Sequence, residues 1–177
     1  MAILTTLQAV DVRLFGRIFT QGRRWHATQW VAKVISRTGD GYLHVLLPLL
    51  FVALGTASSS QYLSLLVTAM AVERLFYVAL KNKLKRLRPQ EYMPGFTSLI
   101  TASDRFSFPS GHSSAAFCLA TATGIILGGP FIALYIWASF VALSRVILGV
   151  HFPGDTVAGA LLGSGVALAT AHYFHFV

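Results

Sequence analysis

The sequence predicts an all-α integral membrane bundle of about five transmembrane helices behind amphipathic N-terminal helices, and three observations carry that reading. The 177 residues are 55% hydrophobic and only 11% charged, against roughly 25% charged in an ordinary soluble domain, too few to coat a soluble surface. Those charges are clustered: no Asp, Glu, Lys or Arg occurs in residues 41–72, 106–144 or 156–177, and each stretch meets the about 18–20 residues a helix needs to cross a bilayer. The apolar stretches are also too long for barrel strands, and an open sheet edge cannot be satisfied in lipid. One membrane-embedded domain over residues 1–177 is expected, divided into an interfacial segment, 1–39, and a transmembrane core, 40–177.

The elements follow in order. In "LQAVDVRLFGRIF", Leu7, Val10, Leu14 and Ile18 recur at helical spacing among Asp11, Arg13 and Arg17, which reads as an amphipathic helix lying in the interface. "TQWVAKVISRTGDG" is a second such helix, closed by Gly39 and Gly41. The first span runs from about Tyr42 to Leu54, and "GTASSS" turns the chain into a second, from about Gln61 to Lys81, that carries Glu73 and Arg74. A long loop occupies roughly 82–108. The third span starts near Ser110 and stops at "LGGP", where glycine and proline break the helix. The fourth covers Phe131 to about Gly149 and the fifth Pro153 to about Phe174, with Gly159 and Gly163 as a small-xxx-small pair suited to close helix packing. The first strong apolar segment begins near residue 42, too far in for a signal peptide. The lone Cys118 reads as a small core residue.

Alternation of five spans puts the 82–108 loop, the turn near residue 150 and the N-terminal segment on one face. Three residue groups meet there. Lys81 and Arg88 lie two turns apart if their helix continues, while Pro89 biases Arg88 to an extended conformation. Pro109-Ser110-Gly111-His112 opens a span, so backbone N–H groups of a helix N-terminus face an anion and Gly111 permits close approach. Ser144-Arg145 ends the fourth span. His151 stands just ahead of a helix beginning at Pro153, with Asp155 in the first turn, where a carboxylate suits the helix dipole and reaches back to the imidazole N–H. Each group has a plain alternative: snorkelling cations, a helix cap with a satisfied histidine, a His–Asp pair capping a helix. Together they are equipment for phosphoryl transfer to histidine, with dispersed cations on the phosphate oxygens.

K-x6-R-P, P-S-G-H and S-R-x5-H-x3-D, matched here by Lys81, Arg88 and Pro89, by Pro109 to His112, and by Ser144, Arg145, His151 and Asp155, resemble the signature of the type 2 phosphatidic acid phosphatase superfamily. No motif position departs from that pattern. The resemblance implies a metal-independent membrane lipid phosphatase without cofactor. It implies His151 as nucleophile, Asp155 as its orienting partner and His112 as general acid and then base. Lys81, Arg88, Ser110, Gly111 and Arg145 would hold the phosphate. Lys83, Lys85 and Arg86 are left to meet lipid headgroups or steer an anionic substrate, and Glu73, two turns deeper than Lys81, to support that lysine or to pair locally.

The expected partners are the bilayer and a lipid phosphate; a nucleic acid is not expected, and no obligatory protein partner is evident. The family acts on phosphatidic acid, phosphatidylglycerol phosphate, polyprenyl diphosphates and lipid A, and a chain this short resembles its bacterial members; the lean is towards a polyprenyl (undecaprenyl) diphosphate. Alternatives are a phosphatidic acid or phosphatidylglycerol phosphate phosphatase, a lipid-to-lipid phosphotransferase with the same motifs, and a non-enzymatic transporter, which explains the spans but not the motif set. With six acids against fourteen cations, three of the cations at the site, a divalent metal is poorly served by these histidines. A bacterial inner membrane is the expected location. All Lys and Arg except Arg74 fall on or near the active-site face, which points that face to the cytoplasm by the positive-inside rule, although many bacterial members of the family work on the outer face.

Overall fold

The helices begin and end close to where the sequence pattern places them. A computed structural model describes the backbone of residues 2–176 and the side chains of residues 8–176. In it, α1 is Ala2–Arg23, α2 His26–Thr38, α3 Tyr42–Ala53, α4 Ser59–Leu84, α5 Pro89–Tyr92, α6 Gly111–Leu127, α7 Leu134–Ile147 and α8 Pro153–Tyr173. A 3-10 turn, Gly129–Ala133, leads into α7. No strand occurs among the described residues.

Two stretches, Ser59–Tyr92 and Gly129–Ile147, are long and apolar enough to cross a membrane, each with mean hydropathy 1.7, and α3 and α6 are shorter apolar helices. Of the five expected spans, α8 is not among these stretches; its sequence is rich in the Gly, Ala, Ser and Thr that let helices pack closely. Outward faces are apolar all round: Leu46 and Leu49 on α3, Val67 and Leu75 on α4, Ile136 on α7 and Leu161 on α8 are each more than half exposed. Stripes of this kind belong against lipid rather than water.

At the centre stands α6, packed most extensively on α8 and also on α4 and α7. Most of its buried positions are small, among them Ser113, Ser114, Ala116, Cys118, Ala120 and Ala122, and α8 answers with the two expected glycines. A Cβ at Gly159 would lie 2.5 Å from the Ser110 carbonyl oxygen, and one at Gly163 would lie 2.0 Å from that of Ser114. The backbones therefore touch, which is how helices gain packing energy where lipid removes the hydrophobic drive.

One expectation needs correction and another gains a second face. In α1, Val10 and Leu14 are more than 40% exposed, compatible with an interfacial stripe, while Phe15 and Phe19, buried at 1% and 7%, pack on the protein. These rings meet Phe96 and Phe152 edge to face. Leu7, part of the exposed pattern, lies outside the residues whose side chains are described. The expectation that fails is that α4 continues to Arg88. It ends at Leu84 with Lys85 in the left-handed region at φ 46°, so Lys81 and Arg88 converge because the chain turns back, not because they share a helical face.

Candidate active site

Five segments bring the motif residues together: the C-terminal end of α4, the start of α5 with Arg88 at its N-cap, the 93–110 loop, the N-terminus of α6, and the end of α7 with the turn into α8. The two loops are stitched by Leu99 N donating to Leu148 O at 2.9 Å, and Ser110 N donates to Asp155 O at 2.9 Å. Lys81, Arg88, Ser110, Arg145, His151 and Asp155 are all buried.

His151 sits between a cation and a carboxylate. Its Nε2 lies 3.3 Å from Arg88 Nη1, and its Nδ1 faces Asp155 Oδ2 at 3.7 Å. That is too long for a closed hydrogen bond, and Nδ1 has no hydrogen-bond partner among the described residues. The geometry favours the tautomer with the proton on Nδ1, towards Asp155, leaving the Nε2 lone pair towards Arg88 and the anion site. Burial pushes the imidazole down to about 4, and Arg88 and Arg145 add to the effect against the pull of Asp155, so the ring is neutral and nucleophilic at physiological pH.

The cations are already gripping an anion. Lys81 Nζ donates to Asp104 Oδ2 at 2.6 Å and to the Tyr77 hydroxyl at 2.5 Å. Tyr77 itself donates to the same Asp104 oxygen at 2.6 Å. Arg88 pairs with Asp104 Oδ1 through Nη2, reaches the Asp104 carbonyl through Nε at 3.0 Å, and holds Val150 O through Nη1 at 2.5 Å. Burial alone would raise the Asp104 carboxyl, but the donors Lys81, Tyr77 and Arg88 outweigh it and hold the group well below the usual carboxylate range. Sequence reading passed over both Asp104 and Tyr77. Glu73 is buried on α4, but the group that meets the ammonium of Lys81 is Tyr77.

His112 lines a cavity together with Arg145, and its Nε2 bonds Asp40 Oδ1 at 2.7 Å. Asp40 lies in the turn between α2 and α3, 72 residues away in sequence. The pair stands between two cavities. One, of about 350 Å³, is lined by Lys33, Arg37 and Arg145 among others. The other, of about 640 Å³, lies between α3, α4 and α6, with His44, Glu73 and Tyr77 in its wall. Arg145 donates through Nη1 to Ser36 Oγ at 2.5 Å, while its Nε is buried without a partner among the described residues. Gly111 lies close against Tyr77: a Cβ there would lie 3.0–3.1 Å from the ring and hydroxyl. Ser110 is fully buried and accepts from Ser113 Oγ at 3.1 Å.

Arg86 departs from expectation. Rather than reaching headgroups, its Nη1 donates to Asp155 Oδ1 and its Nη2 to Asp11 Oδ2, both at 2.6 Å. Five of the six acids thus hold something at this face: Asp11 holds Arg86, Asp40 holds His112, Asp104 holds Lys81 and Arg88. Asp155 faces His151, and Glu91 accepts from Arg88 N at 3.3 Å.

Comparison with known proteins agrees on the family. Residues 62–177 match the PAP2 superfamily. The lipid A 1-phosphatase of Rhizobium etli is 30% identical over 110 residues, covering 60% of this chain and 47% of the relative. The crystal structure of Aquifex aeolicus LpxE superposes with TM-score 0.78 at 26% identity, over 93% of this chain and 96% of that one. That of a transmembrane PAP2-type phosphatidylglycerolphosphate phosphatase from Bacillus subtilis superposes with TM-score 0.75 at 25% identity, over 97% of this chain and 88% of that one. The chain spans about half the length of the curated relatives it matches.

Proposed function

The chain belongs to the PAP2 superfamily, and on that premise we propose that it is a membrane lipid phosphatase working through a phosphohistidine at His151. The observation that carries this reading is the neutral imidazole with Nε2 3.3 Å from Arg88, beside two cations that hold a carboxylate. A substrate phosphate has the same charge sign and oxygen acceptors as Asp104, whose side chain is one-third exposed at 34% and rides on a loop. In the proposed cycle the phosphate displaces that carboxylate, and Lys81 and Arg88, with Arg145, neutralise its oxygens.

Nε2 of His151 attacks phosphorus as the bond to the lipid oxygen breaks, and His112 donates the proton that the leaving oxygen takes up. Water then attacks the phosphohistidine, His112 removes its proton, and inorganic phosphate leaves with both histidines restored. Asp155 orients the ring and balances the charge it gains. Asp40 fixes His112 as Asp155 does His151. The cavity between α3, α4 and α6 adjoins His112 and suits the departing lipid moiety. We take α3, α4, α6, α7 and α8 as the five spans. The site is placed on the cytoplasmic face of a bacterial inner membrane, because the excess of cations there survives after the engaged Lys81, Arg86, Arg88 and Arg145 are set aside.

The substrate class is a lipid phosphomonoester or diphosphate, with polyprenyl diphosphate as the finer expectation. Detergent-purified protein with phosphatidic acid, phosphatidylglycerol phosphate, lipid A and undecaprenyl diphosphate, in excess EDTA, is expected to release phosphate from at least one, which names the substrate. Release abolished by EDTA and restored by a divalent ion contradicts the metal-free mechanism. Folded protein that releases nothing from any of them, yet moves phosphate onto a second lipid, is a phosphotransferase.

A further inference from the structure

We propose that Arg86 and Asp11 are positioning residues for the nucleophile, so that the N-terminal helix forms part of the catalytic apparatus rather than only an interfacial anchor. The inference rests on the reading of His151 and Asp155 given above. Asp155 is fully buried, and each carboxylate oxygen has one strong donor: Oδ1 takes Arg86 Nη1 at 2.6 Å and Oδ2 takes the Phe152 backbone N–H at 2.8 Å. Arg86 is therefore its one side-chain counter-cation among the described residues. The guanidinium is itself fixed from three directions. Asp11 Oδ2 and Gln8 Oε1 of α1 each accept from Nη2 at 2.6 Å, and the Phe152 ring lies 4.6 Å beneath the guanidinium carbon. Asp11 closes the circuit by accepting from the Gly154 N–H at 2.7 Å through Oδ1. One carboxylate on α1 thus holds both the cation that aims Asp155 and the backbone of the α8 turn that carries it.

The His151 contact explains why such fixing matters. At 3.7 Å, Asp155 Oδ2 sits just beyond hydrogen-bond range of Nδ1, so a small rotation of the carboxylate decides whether the imidazolium formed during phosphoryl transfer finds its partner. Without Arg86 the buried carboxylate loses its counter-charge and half of its orientation. Charge follows orientation. His151 feels Arg88, Arg145 and Asp155, and Asp104 screens Arg88 from the loop side. Arg86, itself neutralised by Asp11, offsets the field of Asp155. Removing Arg86 exposes His151 to more of that negative field and raises the pH at which the ring protonates.

The test is kinetic, on full-length Arg86→Gln, Arg86→Lys and Asp11→Asn in mixed micelles with the best lipid phosphate from the panel above. Arg86→Gln is expected to lower kcat about 10- to 100-fold, by analogy with the loss when the partner that orients a metal ligand is removed, with KM within about threefold. The acid limb of its kcat/KM profile moves up by about one pH unit relative to wild type. Substrate ionisation is common to all variants and cancels in that difference. Arg86→Lys recovers most of kcat and returns the limb. Asp11→Asn, with α1 still docked through Phe15 and Phe19, shows a smaller loss of kcat without an upward move of the acid limb, because the charge of Arg86 is then less neutralised. If Arg86→Gln fails to fold, the lysine and asparagine variants carry the test. In Arg86→Gln, a rise in KM alone, or a fall in kcat with an unmoved acid limb, makes Arg86 a headgroup or structural contact and overturns the proposal. Wild type that neither releases phosphate from any lipid nor moves it onto a second lipid, or His151→Ala still active, sinks the phosphohistidine reading instead. Wild type active, His151→Ala dead and Arg86→Gln unchanged removes this relay alone.

Discussion

His151→Ala is expected to lower phosphate release by at least about 10⁴-fold, the order seen when the nucleophile of a triad is removed. The substitution deletes the phosphoryl acceptor, and no neighbour replaces it. His112 is engaged with Asp40, the Tyr77 hydroxyl is committed to Asp104, and Ser110 is buried and accepts from Ser113. The loss belongs to chemistry and not to folding, because the elements around the turn are held elsewhere: Arg88 on Val150 O, Phe152 among Phe15 and Tyr92. Initial rates beside a thermal melt separate the two. Activity above about one per cent of wild type in a folded His151→Ala protein points to a different nucleophile.

Gly163 carries the largest expected effect on stability. A Cβ there meets the Ser114 carbonyl oxygen at 2.0 Å and Cys118 N at 2.9 Å. Both are helix backbone, which has no rotamer to yield, so α6 and α8 must separate along their most extensive contact. Overpacking a core costs about 1–3 kcal/mol when side chains can adjust. Here Gly163→Ala is expected at the upper end of that range, which corresponds to a melting temperature lower by roughly 10 °C for a chain of this size. Gly163→Leu is expected not to give monodisperse protein. Gly165, on the same helix with nothing within 4 Å, is the control: Gly165→Ala should be neutral or slightly stabilising through helix propensity. Equal melting shifts for the two alanine variants would mean that the α6–α8 contact is looser than described. The same contact positions the site, since Gly159 lies against Ser110 at the head of α6.

How much of this was legible in sequence differs by level. Helix positions were, because lipid leaves long uncharged runs and the breaks fall at glycine and proline. The motif residues were legible as a set, because their spacing is kept along the chain. What periodicity could not show was that α1 also has a protein-facing side: Phe15 and Phe19 pack against Phe96 and Phe152, far away in sequence. Asp104, Asp40 and Arg86 were missed for the same reason. Their partners lie 16 to 78 residues away, and a lone carboxylate in a loop resembles any polar turn residue. One signal was available: with only six acids against fourteen cations in a lipid-bound chain, each carboxylate is scarce, and five of the six turn out to hold a residue at the site. Asking which cation each acid neutralises would have led to Asp104 first.

The central claim, a phosphoryl group carried on His151, is tested most directly by trapping it. Wild-type protein mixed with ³²P-labelled lipid phosphate in EDTA and quenched in alkali within the turnover time should carry label that survives base, is lost in mild acid, and maps by mass spectrometry to the peptide containing His151. Label on another residue, or none at any quench time while phosphate is still released, contradicts a phosphohistidine mechanism.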